Sequence, residues 1–78
     1  MATDIRDRVA RVVAQTLKID GSRVTEEARF VEDLGAESMQ SVELIASFEE
    51  EFDIEMDEQA ALGVKTVGMA IEFISAHL

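Results

Sequence analysis

Five serines, Ser22, Ser38, Ser41, Ser47 and Ser75, are the hydroxyl nucleophiles worth weighing in a chain with one histidine and no cysteine, tyrosine or tryptophan. A Ser/His/Asp arrangement would need His77 held firmly beside a serine. His77 is the penultimate residue, where fraying is expected, so hydrolytic chemistry is not. Carboxylates are plentiful, as in Glu49, Glu50 and Glu51, but general acid–base work needs a cleft that shifts their pKa values. A run of glutamates on a helix is usually a solvated face. In "DIEMDE", Asp53, Glu55 and Asp57 alternate like the first ligands of an EF-hand loop. The glycine at the sixth position is missing and Val64 stands at the twelfth, where a glutamate belongs. Weak, nonspecific cation binding is all that segment supports; no metal site and no catalytic residue are expected.

Ser38 differs from the other serines in its place. In "LGAESMQSVEL", residues 34–44, a glycine leads into a serine just ahead of an amphipathic run. The first turn of a helix offers free backbone N–H groups and a partial positive charge, so an anion attached there would be stabilised. Spacing alone favours a plainer role for Ser38 as the helix N-cap.

The elements that must position these groups are helical. Ile5, Val9, Val12, Val13 and Leu17 fall at helical spacing behind Thr3, a suitable cap, and Asp4, predicting a first helix over residues 4–17. Residues 19–36 lack periodicity but contain Ile19, Val24, Phe30, Val31 and Leu34, enough to pin a long ordered loop onto a core. From Ser38 to Phe52, Val42, Ile45, Phe48 and Phe52 share one helix face, with Gln40, Glu43, Ser47 and Glu50 opposite. Asp57 can cap a short helix stopped by Gly63. Thr66 can cap a last one whose Val67, Ala70, Ile71, Ile74 and Leu78 face inward. Strand alternation is absent. The expected fold is all-α: one domain over residues 1–78, three main helices and one short helix, with the long loop crossing between the first two.

Seventy-eight residues with 47% hydrophobic content suit one small core, and without a thiol or a Cys/His cluster that core must rest on apolar packing. The charged start "MATDIRDRVARVV" reads as part of a helix, neither a signal peptide nor a membrane span, and a cytoplasmic protein is expected. The net charge is −10, unevenly spread: residues 1–25 hold five basic and three acidic groups, residues 26–78 two basic and fourteen acidic. Such a field argues against nucleic acid and for partners with basic surfaces, although acidic residues also serve simply to keep a small bundle soluble.

The segment "FVEDLGAESMQSVELIASFEEEF", residues 30–52, closely resembles the core of acyl carrier proteins of dissociated fatty acid synthase systems, and the resemblance extends over essentially the whole chain. In that family an Asp-Ser-Leu motif follows Leu-Gly-Ala, and its serine is esterified by the phosphate of 4′-phosphopantetheine. Glu37, Ser38 and Met39 match that motif by position; Leu34, Gly35 and Ala36 match the preceding residues outright. The resemblance implies a carrier without catalysis of its own, holding acyl chains as thioesters on an arm at Ser38, which accounts for a chain with no thiol. It implies a phosphopantetheinyl transferase and acyl-chain enzymes with basic patches as partners. They would meet Glu37, Met39, Glu43, Ala46, Glu49 and Glu50 through weak, quickly reversed contacts, and the carrier would be a monomer. It also implies a core and acyl cavity from Phe30, Val31, Leu44, Ile45, Phe48, Met56, Leu62, Val64 and Ile71.

The chain departs from the family pattern at three places. Glu37 replaces the usual aspartate, Met39 replaces leucine with a more adaptable side chain, and Asp57 stands where proline is common before the short helix. These differences suit a secondary or specialised carrier. Two other readings stay open: a polyketide or aminoacyl carrier with the same arm, and an unmodified acidic interaction module in which Ser38 only caps its helix.

Overall fold

The computed structural model describes residues 5–78, the side chain of Glu58 apart. Among these residues the architecture is helical, with α1 at Ile5–Leu17, α2 at Ser38–Phe52, α3 at Glu58–Leu62 and α4 at Val67–His77. The expected cap at Thr3 and the first-turn Asp4 lie outside the described residues. Val9, Val12, Val13 and Leu17 of α1 are buried and meet Leu44, Phe48 and Phe52 of α2 and Val67, Ala70 and Ile74 of α4 in one core. Helix α1 packs directly on both α2 and α4. Removing these side chains from water is the main stabilising contribution, on the order of 2 kcal/mol for each large one.

Caps set most helix boundaries. The Asp57 carboxylate accepts from the Gln59 N–H at 3.0 Å to start α3, and the Thr66 hydroxyl accepts from the Met69 N–H at 3.1 Å to start α4. Two ends use a device that glycine usually supplies. Lys18 and Asp53 adopt left-handed conformations, with φ of 57° and 54°. The following N–H groups of Ile19 and Ile54 reach back five residues to the carbonyls of Ala14 and Glu49. Both isoleucines pack against the core, supplying the apolar contact that accompanies such an end.

The α1–α2 connection is ordered along its length. It makes a short 3-10 turn at Gly21–Arg23 and then runs antiparallel beside residues 65–68. There Phe30 N–H donates to Lys65 O, Val67 N–H to Ala28 O and Gly68 N–H to Glu26 O, at 2.9 to 3.0 Å. A Cβ on Gly68 would lie 3.0 Å from the Glu26 carbonyl oxygen, so a side chain here would push the two segments apart by a few tenths of an ångström. Phe30 and Leu34 are buried as expected of loop residues pinned to the core, and Ala28 and Ala36 join them.

Four expected inward residues are exposed. Val31 is 60% accessible and Leu62 69%, and Val42 and Leu78 are also mostly in water. Leu78 follows the last turn of α4, beyond the reach of α1. Val42 sits just outside the arc of α2 that the other helices cover, an arc marked by Leu44, Phe48 and Phe52. His77 lies within the last turn of α4. Its Nδ1 lies 2.9 Å from the Phe73 carbonyl oxygen and its ring stacks on Phe73 within the last turn of α4.

Candidate functional site

The turn ahead of Ser38 is built by Arg29 and Asp33. The Asp33 carboxylate accepts from the Arg29 N–H at 2.8 Å and from its Nε at 3.3 Å, while Arg29 also pairs with Glu32. These bonds, the backbone N–H first, hold the Asp33 carboxyl below its ordinary range. Leu34 and Gly35 N–H groups donate back to Arg29 and Val31 carbonyls, and Ala36 N–H to Phe30 O at 2.8 Å. Gly35 completes the reversal at φ +73°, a conformation that disfavours any side chain.

The N-cap of α2 is Glu37, with extended φ and ψ of −90° and 168°, and Ser38 is the first helical residue. This corrects the expectation that Ser38 caps the helix. Gln40 decides the matter: its Oε1 accepts from the Glu37 N–H at 2.9 Å, the reach-back half of a capping box, and Ser41 N–H closes on Glu37 O at 2.9 Å. Freed of capping, the Ser38 side chain is exposed, and no hydrogen bond to its hydroxyl is found among the described residues.

Ser38 borders an open depression formed by Val31, Ala36, Glu37, Ser38, Met39 and Ser41. Val31 and Ser41 belong also to the wall of a second space, a cavity of about 160 Å³ between α2, α3, α4 and the long loop. Of the residues expected around an apolar pocket, Phe30, Val31, Leu44, Ile45, Phe48, Met56, Leu62 and Val64 line it. Ile71 does not; it packs against the main core. The expected core positions Val31 and Leu62 are therefore exposed cavity-lining residues, because α3 is only five residues long and leaves that side of the space uncovered. Glu32, Ser41, Ala61, Lys65 and Ala70 complete the lining. Of these, Ala70 was read as inward-facing but not as cavity lining, and the others were missed; Ala61 lies in the short helix that the Asp57 cap marks.

The outward stripe of α2 consists of Met39, Val42, Glu43, Ala46 and Glu50, which recur at helical spacing and are all exposed. Met39 is 80% accessible. Val42 belongs to this stripe although its periodicity pointed inward. Glu49 was expected on the same face, but its Oε2 accepts from the Met56 N–H at 2.9 Å in a half-buried contact. Among the described residues no cluster of three His, Asp or Glu is placed to hold a metal ion. Nor is any described helix long and apolar enough to cross a membrane.

The exposed Ser38 hydroxyl at the start of α2 thus borders a depression that shares Val31 and Ser41 with the apolar cavity, in a small helical domain. The family model for the phosphopantetheine attachment site matches residues 7–74. The chain is 47% identical over 76 residues to the acyl carrier protein of Phenylobacterium zucineum, covering 97% of this chain and 96% of that one. It is 49% identical over 73 residues to the acyl carrier protein of Caulobacter vibrioides, covering 94% of each. The chain belongs to the acyl carrier protein family, whose cofactor is covalently attached 4′-phosphopantetheine.

Proposed function

We propose that Ser38 is the attachment point of the phosphopantetheine arm and that this single domain carries acyl chains as thioesters in fatty acid biosynthesis. The observation that carries the reading is the exposed, unbonded Ser38 hydroxyl beside a depression that shares Val31 and Ser41 with the apolar cavity. The residues fit the group. The first-turn N–H groups of α2 would favour a phosphate on Ser38, and the exposed Val31, shared by the depression and the cavity, would adjoin the arm. When attached, the arm supplies the thiol that the chain lacks. The cavity is close in size to the roughly 150 Å³ space that holds a benzene ring in an engineered core, so about six carbons fit inside.

Partners in this reading are a phosphopantetheinyl transferase and acyl-chain enzymes with basic patches, meeting a cytoplasmic monomer. Met39, Val42 and Ala46 give an apolar centre, and Glu37, Glu43 and Glu50 an acidic rim that steers encounter. The test is intact mass after incubation with coenzyme A and a phosphopantetheinyl transferase. The wild type gains one arm and Ser38→Ala gains none; no gain in the wild type, or equal gain in both, overturns the proposal. Loading with malonyl and aminoacyl donors then separates an acyl-chain carrier from an aminoacyl one. In the remaining reading, an unmodified acidic module, Ser38→Ala would leave partner binding unchanged.

A further inference from the structure

The three consecutive glutamates of α2 point about 100° apart around the helix, and the fold uses each differently. Glu50 is in water and Glu51 binds Arg8 of α1. Glu49 faces the turn between α2 and α3. It grips that turn at three points: its carbonyl accepts the N–H groups of Asp53 and Ile54, and its carboxylate accepts the N–H of Met56. Met56 is 8% exposed and its side chain lines the cavity. The next residue, Asp57, starts α3, which brings Ala61 and Leu62 to the same wall.

The geometry points to Glu49 as a positioning residue for the cavity: its carboxylate fixes the Met56 main chain and so the placement of Met56, Ala61 and Leu62 around the cargo. This goes beyond a docking charge, and for its consequence on cargo it rests on the carrier reading above. A tie of this kind depends on reach and on an acceptor oxygen, whereas docking to a basic partner depends on charge. Glu49→Gln keeps the reach and an acceptor oxygen but loses the charge. Glu49→Asp keeps the charge but is one methylene too short to hold the same amide.

Two measurements on the full chain separate the roles. Hydrogen exchange at the Met56 amide should quicken about tenfold in Glu49→Asp, the loss of one charge-assisted bond, and stay within about threefold of wild type in Glu49→Gln. On protein loaded with a hexanoyl thioester, cleavage by hydroxylamine should be several-fold faster in Glu49→Asp and near wild type in Glu49→Gln. Equal exchange at Met56 in all three proteins overturns the tie. So does the reverse order, with Glu49→Gln loosened and Glu49→Asp intact. Faster exchange without faster cleavage in Glu49→Asp overturns the role in sheltering cargo. Failure of the carrier reading shows separately, as absence of arm loading in the wild type, and leaves the exchange measurement valid.

Discussion

Arg8 offers the sharpest test of how α1 and α2 are joined. Its Nε donates to Glu51 Oε2 at 2.8 Å, its Nη2 donates to the Glu51 carbonyl oxygen at 2.6 Å, and its guanidinium lies 4.4 Å from the centre of the Phe52 ring. The Glu51 carbonyl is among the last four of α2, which have no partner inside the helix, and α2 carries no basic residue in its own last turn. Arg8 thus supplies from α1 both the missing donor and the positive charge favoured at that end. The two side chains are 33% and 34% accessible, so the ion pair itself contributes only about 0.5–1 kcal/mol. The charge-assisted bond to the carbonyl adds about 1 kcal/mol after partial solvation, and the ring contact about 0.5 kcal/mol.

Arg8→Ala should therefore destabilise the domain by about 2 kcal/mol, lowering Tm by roughly 8–16 °C for a chain of this size. Thermal unfolding followed by circular dichroism measures it. Arg8→Lys keeps a charge but lacks the planar fork and should lose about half as much. In a double-mutant cycle, Glu51→Ala removes only the carboxylate; the coupling energy should be about 0.5–1 kcal/mol, and Arg8→Ala should still cost about 1 kcal/mol in that background. A shift of Tm under about 2 °C for Arg8→Ala, or its complete suppression by Glu51→Ala, would refute the reasoning.

Added salt or divalent cations should raise the melting temperature, because fourteen carboxylates against two basic groups in residues 26–78 repel one another at low ionic strength; a flat response would count against that self-repulsion. Asp33 gives a pH signature. Its folded pKa lies below the ordinary 3.8, so its contribution is present above that value and is lost as pH falls through the lower folded one. Wild type should accordingly exceed Asp33→Asn in stability at neutral pH, with the gap closing as pH falls below the ordinary carboxylate range, and a gap that persists in strong acid would contradict the assignment.

Much of this fold is legible in the sequence because its signals are local. The caps Asp57 and Thr66 place α3 and α4 at their observed starts, and apolar spacing locates α2, with no distant residue consulted. The misreadings depend on bonds and backbone turns that apolar spacing does not encode. Residue type points to Ser38 as the cap, whereas the Gln40 side chain bonded to the Glu37 amide puts the cap one residue earlier. The ends of α1 and α2 carry no glycine, so the left-handed Lys18 and Asp53 give no warning. Val31 and Leu62 are apolar residues that the family resemblance placed inward, yet whether such a residue is core or rim depends on whether another element covers it. The site motif was legible through family resemblance, whereas the split among Glu49, Glu50 and Glu51 required knowing what lies on each side of α2.

That split bears on how a helix can belong to the fold and to a partner at once. The C-terminal half of α2 is tied down on two sides, by Arg8 through Glu51 and by the grip of Glu49 on the following turn. The N-terminal end is held from beneath by Glu37 and Gln40, and by the Arg29–Asp33 turn that delivers the chain to it. With both ends fixed by other residues, Met39, Val42 and Ala46 have no structural duty that requires their exposure. Leaving them in water forgoes about 25 cal/mol for each square ångström of apolar surface. A contiguous apolar stripe kept in water, edged by carboxylates and lying beside a free hydroxyl, is then best explained by intermittent cover from another protein. In the proposed reading, the stability of the domain and the availability of a docking face are carried by different residues of the same helix. Substitutions along the stripe should accordingly change partner affinity while leaving the melting temperature nearly unmoved.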